Sequence, residues 1–334
     1  MKDEKIIMAH GAGGRLSQQL QEEIILPELG NGLLLERHDG AVLPVSGRIA
    51  LTTDSYVIKP LFFPGGSIGK LAVCGTVNDL AMSGARARYL TLGLILEEGL
   101  PLETLRRIVH DIRLAAEAAG VQIVTGDTKV VGHGAADGIF INTAGVGDIM
   151  PGADFSPRHI RPGMAVVLSG TVGDHAATVM AARHGLTLPE EIRSDCAPLA
   201  ELTASMVRAS DRIAVMRDPT RGGLAAVLNE LAAQSGTGML IDEDAVPVRD
   251  AVRGVCDILG FDPLYLANEG KLVAVVPESE VGAVLAAMHA TEAGREAAVI
   301  GRVTGKAGTV AMRTALGAVR LVDMPQGELV PRIC

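Results

Sequence analysis

Apolar positions along the chain switch repeatedly between helical and strand-like spacing. Between 67 and 83, Ile68, Leu71, Ala72, Leu80 and Ala81 recur at helical intervals, and Ser67 is placed to cap the first turn. Leu102–Ala119 reads as a second helix, which Gly120 ends. Further helices are expected at 175–184, 199–209, 224–233 and 281–290. Strands are expected at 48–58, where Asp54 interrupts the run, and at 121–124, 139–146, 165–169 and 272–276. This alternation predicts layered α/β (α+β) architecture rather than a bundle. Pro157 and Pro162, with Arg158, His159 and Arg161, break the pattern over 154–163. A boundary there gives an N-terminal domain over 1–155 and an α/β domain over 156–322, followed by a tail over 323–334.

A length of 334 residues suits two domains, and 48% hydrophobic residues with 40 glycines fit a compact fold. The net charge of −9 disfavours a polyanion partner, and an aromatic share of 2% with no tryptophan removes most base-stacking platforms. Nucleic-acid binding is therefore not expected. No apolar stretch reaches membrane-spanning length, and the charged start lacks the apolar run of a signal peptide, so a cytoplasmic protein is expected. The four cysteines form no CxxC pair, which argues against structural zinc and against a disulfide framework. Cys74, Cys196 and Cys256 lie in small or apolar surroundings and are expected as buried thiols. Cys334 differs, because it ends a segment that has lost all periodicity. A thiol is soft and nucleophilic, and on a mobile arm it can visit more than one site.

Several acids fall at the ends of the expected elements: Asp39, Asp54, Asp79, Asp127 and Asp218. Any one of them suits a turn, but converging carboxylates would hold Mg2+ against a triphosphate. Asp79 carries the most weight, since Asn78-Asp79 interrupts an apolar helix and a charge there needs a partner. The glycine-rich runs His10-Gly11-Ala12-Gly13-Gly14 and Gly65-Gly66-Ser67-Ile68-Gly69-Lys70 would let backbone N–H groups approach phosphates, although plain turns explain them equally well. The second is not a P-loop, because Leu71 stands where Ser or Thr would bind magnesium. Lys129 follows Asp127 by two residues and so shares a strand face with it. Glu269 sits in a loop before a strand, where a general base is often carried. His175 reads as part of a helix start, and His133 as a loop residue.

Taken together, the ordered segments resemble the hydrogenase maturation protein family HypE. They are His10-Gly11-Ala12-Gly13-Gly14, 52–57, 62–71, Gly75-Thr76-Val77-Asn78-Asp79-Leu80-Ala81-Met82, 126–131, Gly173-Asp174-His175, 217–223, 268–271 and Pro331-Arg332-Ile333-Cys334. The likeness runs through essentially the whole chain, within a superfamily that includes aminoimidazole ribonucleotide synthetase, selenophosphate synthetase and thiamine-monophosphate kinase. It implies a two-domain fold with a flexible tail, a homodimer around ATP, and ATP-dependent dehydration of a carbamoyl group on the terminal cysteine to a thiocyanate. The cyano group would pass to the iron of a [NiFe]-hydrogenase through a HypC–HypD scaffold, and HypF would supply the carbamoyl group. The resemblance assigns ATP contacts to Gly11, Gly13, Gly14, Thr53, Gly65, Gly69, Lys70, Asn78 and Asp127, and Mg2+ ligation to Asp39, Asp54, Asp79 and Asp218. Lys129 would steady the transferring phosphoryl group, Glu269 would take the nitrogen proton with His133 as second choice, and Cys334 would carry the substrate. The segment 327–334 spans at most about 25 Å at roughly 3.3 Å per residue, enough for an inward and an outward state.

Two alternatives remain. A selenophosphate synthetase would want a reactive cysteine near the first glycine loop, whereas the first cysteine is Cys74, inside an expected helix. A non-catalytic carrier or scaffold would need only Cys334.

Overall fold

The computed structural model describes residues 5–12, 14–37, 40–45, 47–187, 189, 192–327, 330 and 332–334. Near the N-terminus, α1 (Arg15–Leu20) and α2 (Leu26–Leu29) are joined by a wide π turn. Strand β1 (Ile49–Tyr56) leads to a two-rung ribbon of β2 (Phe62–Phe63) and β3 (Gly66–Ser67). Helix α3 (Ile68–Met82) follows directly, and Ser67 caps it by accepting the Lys70 N–H at 3.4 Å. The Ser67 hydroxyl also donates to Asp111 at 2.5 Å, which ties the cap to the neighbouring helix α4 (Leu102–Ala119).

Four strands make the first sheet, in the order β1-β6-β4-β5. Here β4 is Ala85–Glu97, β5 Gln122–Val131 and β6 Ile139–Ile149, and β4 pairs parallel to β5 across the α4 crossover. One face of this sheet packs on α3 and α4, with Leu90, Leu92, Leu94 and Leu96 of β4 against Leu105, Ile108 and Ile112 of α4. The opposite face is open. It carries Ile49, Leu51, Thr53 and Ser55 of β1, with Leu51 76% exposed, and Ile95, Asp127 and Lys129 towards the other edge.

The second sheet has seven strands, ordered β13-β12-β9-β11-β7-β10-β8. They are β7 (Ala165–Leu168), β8 (Val215–Arg217), β9 (Gly238–Asp242), β10 (Val273–Val276), β11 (Ala298–Thr304), β12 (Val310–Arg313) and β13 (Val319–Leu321). Its central strands are buried on both faces, so they read as unbroken apolar runs rather than as alternation. Val166, Leu168, Val273 and Val275 face α7 (Gly223–Ser235), whereas Val167, Ala274 and Val276 face α6 (Ala200–Ala209) and α9 (Val281–His289).

Helix α5 (Asp174–Arg183) belongs to the second half by sequence but packs into the core of the first. Ala176, Ala177, Val179 and Met180 join the same cluster as Leu71, Tyr56 and the tail residues Val330 and Ile333. Helix α8 (Asp250–Leu259) adds Val252 and Val255 to that cluster. The two halves thus share one of the apolar clusters, with a polar seam running beside α3. The protein is an α/β fold of two layered units, and the described tail residues lie on the first.

Candidate active site

Three acids meet at the seam. Asp54 projects from β1 on the face opposite Thr53, Asp79 comes from the last turns of α3, and Asp218 follows the end of β8. Thr52 donates its hydroxyl to Asp79 at 2.9 Å, and Asp54 accepts the Ser55 N–H at 2.7 Å. Burial raises the Asp79 carboxyl and the charge of Asp54 raises it further. Burial likewise pushes Asp218 up to about 7, with the charges of Asp79 and Asp54 adding to the effect. Arg217 pulls both the other way, but its guanidinium is engaged with Glu230 at 2.8 Å. The set has more negative charge than its protein surroundings neutralise. Among the described residues no three metal-type side chains form a closed cage, so a cation here would need ligands from a bound phosphate as well.

Glu269 stands across the seam, 3% exposed, and its Oε1 has no hydrogen-bond partner among the described residues. Burial raises it well above the ordinary carboxylate range, and the charges of Asp195, Asp218 and Asp54 act in the same direction. Its main chain is fixed from two sides: the N–H donates to Asp195 Oδ1 at 3.0 Å, and the carbonyl accepts from Asn78 Nδ2 at 3.3 Å. Asp195 in turn lies 3.4 Å from the ammonium of Lys271. A Cβ at Gly270 would run into the Asp195 carbonyl, so only glycine allows this approach. The buried thiols of Cys74 and Cys196 lie side by side near the same carboxylate.

The tail ends against this region. The Val57 N–H donates to the Cys334 carbonyl at 3.1 Å and the Lys59 N–H to the Arg332 carbonyl at 3.4 Å, so the last residues run beside the continuation of β1. Ile333 is 3% exposed within the shared core, and Cys334 packs partly buried next to it. Fully buried His175 hydrogen-bonds the Ile333 carbonyl through Nε2 at 2.8 Å, and Arg183 bonds the carbonyls of Lys59 and Arg332. Ordering each tail residue costs roughly 1–2 kcal/mol of backbone entropy. Burying Ile333 and Val330 returns about 1.5–3 kcal/mol each, and each hydrogen bond about 1 kcal/mol.

The remaining expected residues lie elsewhere. Asp127 and Lys129 are on the open sheet face, paired at 3.0 Å and largely exposed, and the chain does not bring them to Asp54, Asp79 and Asp218. They border a cleft of about 310 Å³ lined also by His10, Gly11, Leu92 and Thr128. Thr53 is on the open face too and donates to the Thr143 carbonyl at 3.0 Å. His133 is exposed in the loop after β5, 3.5 Å from Glu97, and apart from Glu269. Several glycines answer to protein packing: a Cβ at Gly11 would meet Val130 at 2.7 Å, at Gly65 the Ser194 carbonyl at 2.8 Å, and at Gly69 the Ile108 carbonyl at 2.5 Å. Gly14 opens α1 with space around it. Lys70 donates to the Gly65 carbonyl at 2.9 Å, and the Asn78 amide is spent on main-chain groups of 197–199 and Glu269. Asp39 and Gly13 lie outside the described residues. Thr52, Asp195 and Arg183 were not singled out by the sequence, and His175 was read only as part of a helix start. A histidine among the small apolar residues of α5 was the available signal.

Comparison with known proteins places this geometry. Residues 37–149 match the family model for the N-terminal domain of AIR synthase related proteins, and 161–313 match its C-terminal domain. The chain is 51% identical over 338 residues to the carbamoyl dehydratase HypE of Rhodobacter capsulatus, covering 100% of this chain and 99% of the relative. It superposes with a TM-score of 0.95 on a crystal structure of hydrogenase maturation protein HypE in complex with ATP, at 48% identity over 98% of this chain and 99% of that one. A structure of a HypE–HypF complex matches with a TM-score of 0.81 and 47% identity, covering 92% of this chain and 99% of that one.

Proposed function

The chain belongs to the HypE family of carbamoyl dehydratases, and on that premise we propose that it dehydrates a carbamoyl group carried on Cys334 Sγ, using ATP, to leave a thiocyanate. The observation that carries this reading is the seat of the last residue: Cys334 hydrogen-bonds Val57, three positions after Asp54 on the same chain segment. The carrier thiol and the acid cluster therefore share one scaffold.

The carbamoyl oxygen is a poor leaving group, so it must first be activated. It attacks the γ-phosphorus of ATP, the bond to ADP breaks, and one N–H proton is lost. The C–O bond then breaks, the second N–H proton leaves, and phosphate departs from the new C≡N. Glu269 takes a nitrogen proton; burial makes its carboxylate a stronger base than an exposed one once ionised. Hydrogen bonds at its N–H and carbonyl fix the backbone from which that carboxylate extends. Asp54, Asp79 and Asp218 fit Mg2+, because their mutual repulsion is what a hard cation relieves, and Asp39 is the further expected ligand. The ion would neutralise phosphate charge as it transfers.

A homodimer completes the site in this reading. The open face of the first sheet, with Ile49, Leu51 and Ile95 exposed, suits burial against a second copy. Face-to-face packing would also bring the Asp127–Lys129 edge of one copy towards the nucleotide of the other, where Lys129 steadies the transferring phosphoryl group. HypF is the proposed source of the carbamoyl group and a HypC–HypD complex the acceptor of the cyano group, in the cytoplasm. Among the described residues no helix is long and apolar enough to cross a membrane.

The test is stoichiometric. Carbamoylated protein should convert one ATP to ADP and phosphate per carbamoyl group, and Cys334→Ala should remove that turnover. ATP consumption independent of Cys334 would favour the phosphotransfer alternative, and none at all the carrier.

A further inference from the structure

We infer that helix α5 is the receptor for the docked tail, with His175 and Arg183 as positioning residues that set the Cys334 thiol for reaction. The inference rests on the dehydratase reading for its purpose but not for its geometry.

Both residues read main chain, not side chains. His175 lies in the first turn of α5 and Arg183 closes its last, so one helix spans the whole dock. The Ile333 carbonyl can only accept, so His175 Nε2 carries the proton. Nδ1 then accepts from the Ser194 hydroxyl at 2.8 Å, while Ser194 Oγ accepts the Cys196 N–H at 3.1 Å. That chain fixes the tautomer, and Phe63 holds the ring edge-on at 5.3 Å between centroids. Arg183 bridges the two segments by bonding Lys59 on one side and Arg332 on the other.

The tail backbone is bent to meet them. Arg332 has φ +56°, a left-handed conformation that a non-glycine residue holds only when its surroundings impose it. The turn sends Ile333 inward to the core, while the Arg332 side chain pairs with Asp137 in the loop before β6. Three separate elements thus define one position for the residue that precedes the thiol. The hydrogen bonds that hold Arg332, Ile333 and Cys334 all run to main-chain carbonyls of the tail.

Alkylation of Cys334 by iodoacetamide tests this on the full chain, since the other three cysteines are buried. Cys334 of Arg183→Ala should alkylate about tenfold faster than in the unsubstituted protein, the factor expected for one lost hydrogen bond. His175→Ala should do the same, and His175→Gln, which keeps a donor, should recover part of the protection. Single-turnover dehydration should slow by a similar factor in both alanine variants, while loading of carbamoyl by HypF is not slowed. Unchanged alkylation in Arg183→Ala, with its folding verified by circular dichroism, would overturn the inference. An unsubstituted protein that never dehydrates its carbamoyl group, yet shows the alkylation difference, would sink the dehydratase reading and leave the receptor standing.

Discussion

Asn78 holds Glu269 in place. Its side-chain amide, deep in α3, donates to the carbonyls of Glu269 at 3.3 Å and Ala197 at 3.1 Å, and its oxygen accepts the Leu199 N–H at 2.8 Å. One buried residue of the first half therefore satisfies three main-chain groups of the second. Asn78→Ala should lower stability by about 2–4 kcal/mol, because buried groups are left unpaired. Urea denaturation measures it, and a loss under about 0.5 kcal/mol, the scale of a neutral surface change, would contradict the account.

Glu269 itself should trade stability for chemistry. Glu269→Gln keeps the volume and removes an acid whose ionised form is disfavoured by burial and by three neighbouring acids. Single-turnover dehydration should fall by about 10²–10⁴-fold, the usual contribution of general-base catalysis. Stability should be equal or higher by thermal unfolding. Retained dehydration would remove Glu269 from the mechanism.

Stability of the metal-free protein should fall as pH rises. Asp218 titrates near 7 in the fold, against roughly 3.9 for an unfolded aspartate. Between those values the folded state binds the extra proton, so the contribution is complete below about 4 and is lost as pH rises through about 7. Asp79 and Glu269 are raised as well and act in the same direction. Glu28, lowered by its hydrogen bond to Arg113, and Glu97, lowered by its bond to the Gly134 N–H, act oppositely from more exposed positions. Thermal unfolding in EDTA at pH 5.5 and 7.5 should show the loss, and Asp218→Asn should flatten it. A rise in stability over that interval would contradict the assignment.

Leu51 reports on the open sheet face. It is 76% exposed beside Ile49, so Leu51→Asp should cost the single chain little. In sedimentation it should convert a dimer to a monomer, and ATP turnover should be lost with it. An unaltered dimer would place the interface elsewhere.

Much of this was legible in the sequence because it depends on local rules. Leu102–Ala119 ends where Gly120 adopts φ +67°, and Ser67 caps α3, as the spacing required. Asp79 was read as needing a partner inside an apolar helix, and it accepts the Thr52 hydroxyl at 2.9 Å. Strand β4 was missed although its buried positions alternate: a bulge between Ala87 and Tyr89 shifts the phase from Ala85 and Ala87 to Leu90, Leu92, Leu94 and Leu96, so the alternation does not run unbroken through the strand. The short strand expected at 121–124 continues to Val131, and the extended segment expected for Asp127 and Lys129 is part of it. At Gly65 and Gly69 the structure shows close approach to the Ser194 and Ile108 carbonyls, and such packing leaves the same glycine signature in sequence as an approach to phosphate. Tail docking left no local trace, for His175 and Ile333 are 158 positions apart and meet only through the fold.

The central claim is that Cys334 carries the group being dehydrated. Intact mass of the carbamoylated protein, before and after Mg-ATP, tests it most directly, with Cys334→Ala as control. The account predicts loss of one water, confined to the C-terminal peptide and absent in the control. A carbamoyl mass that persists on Cys334 through ATP turnover would contradict it.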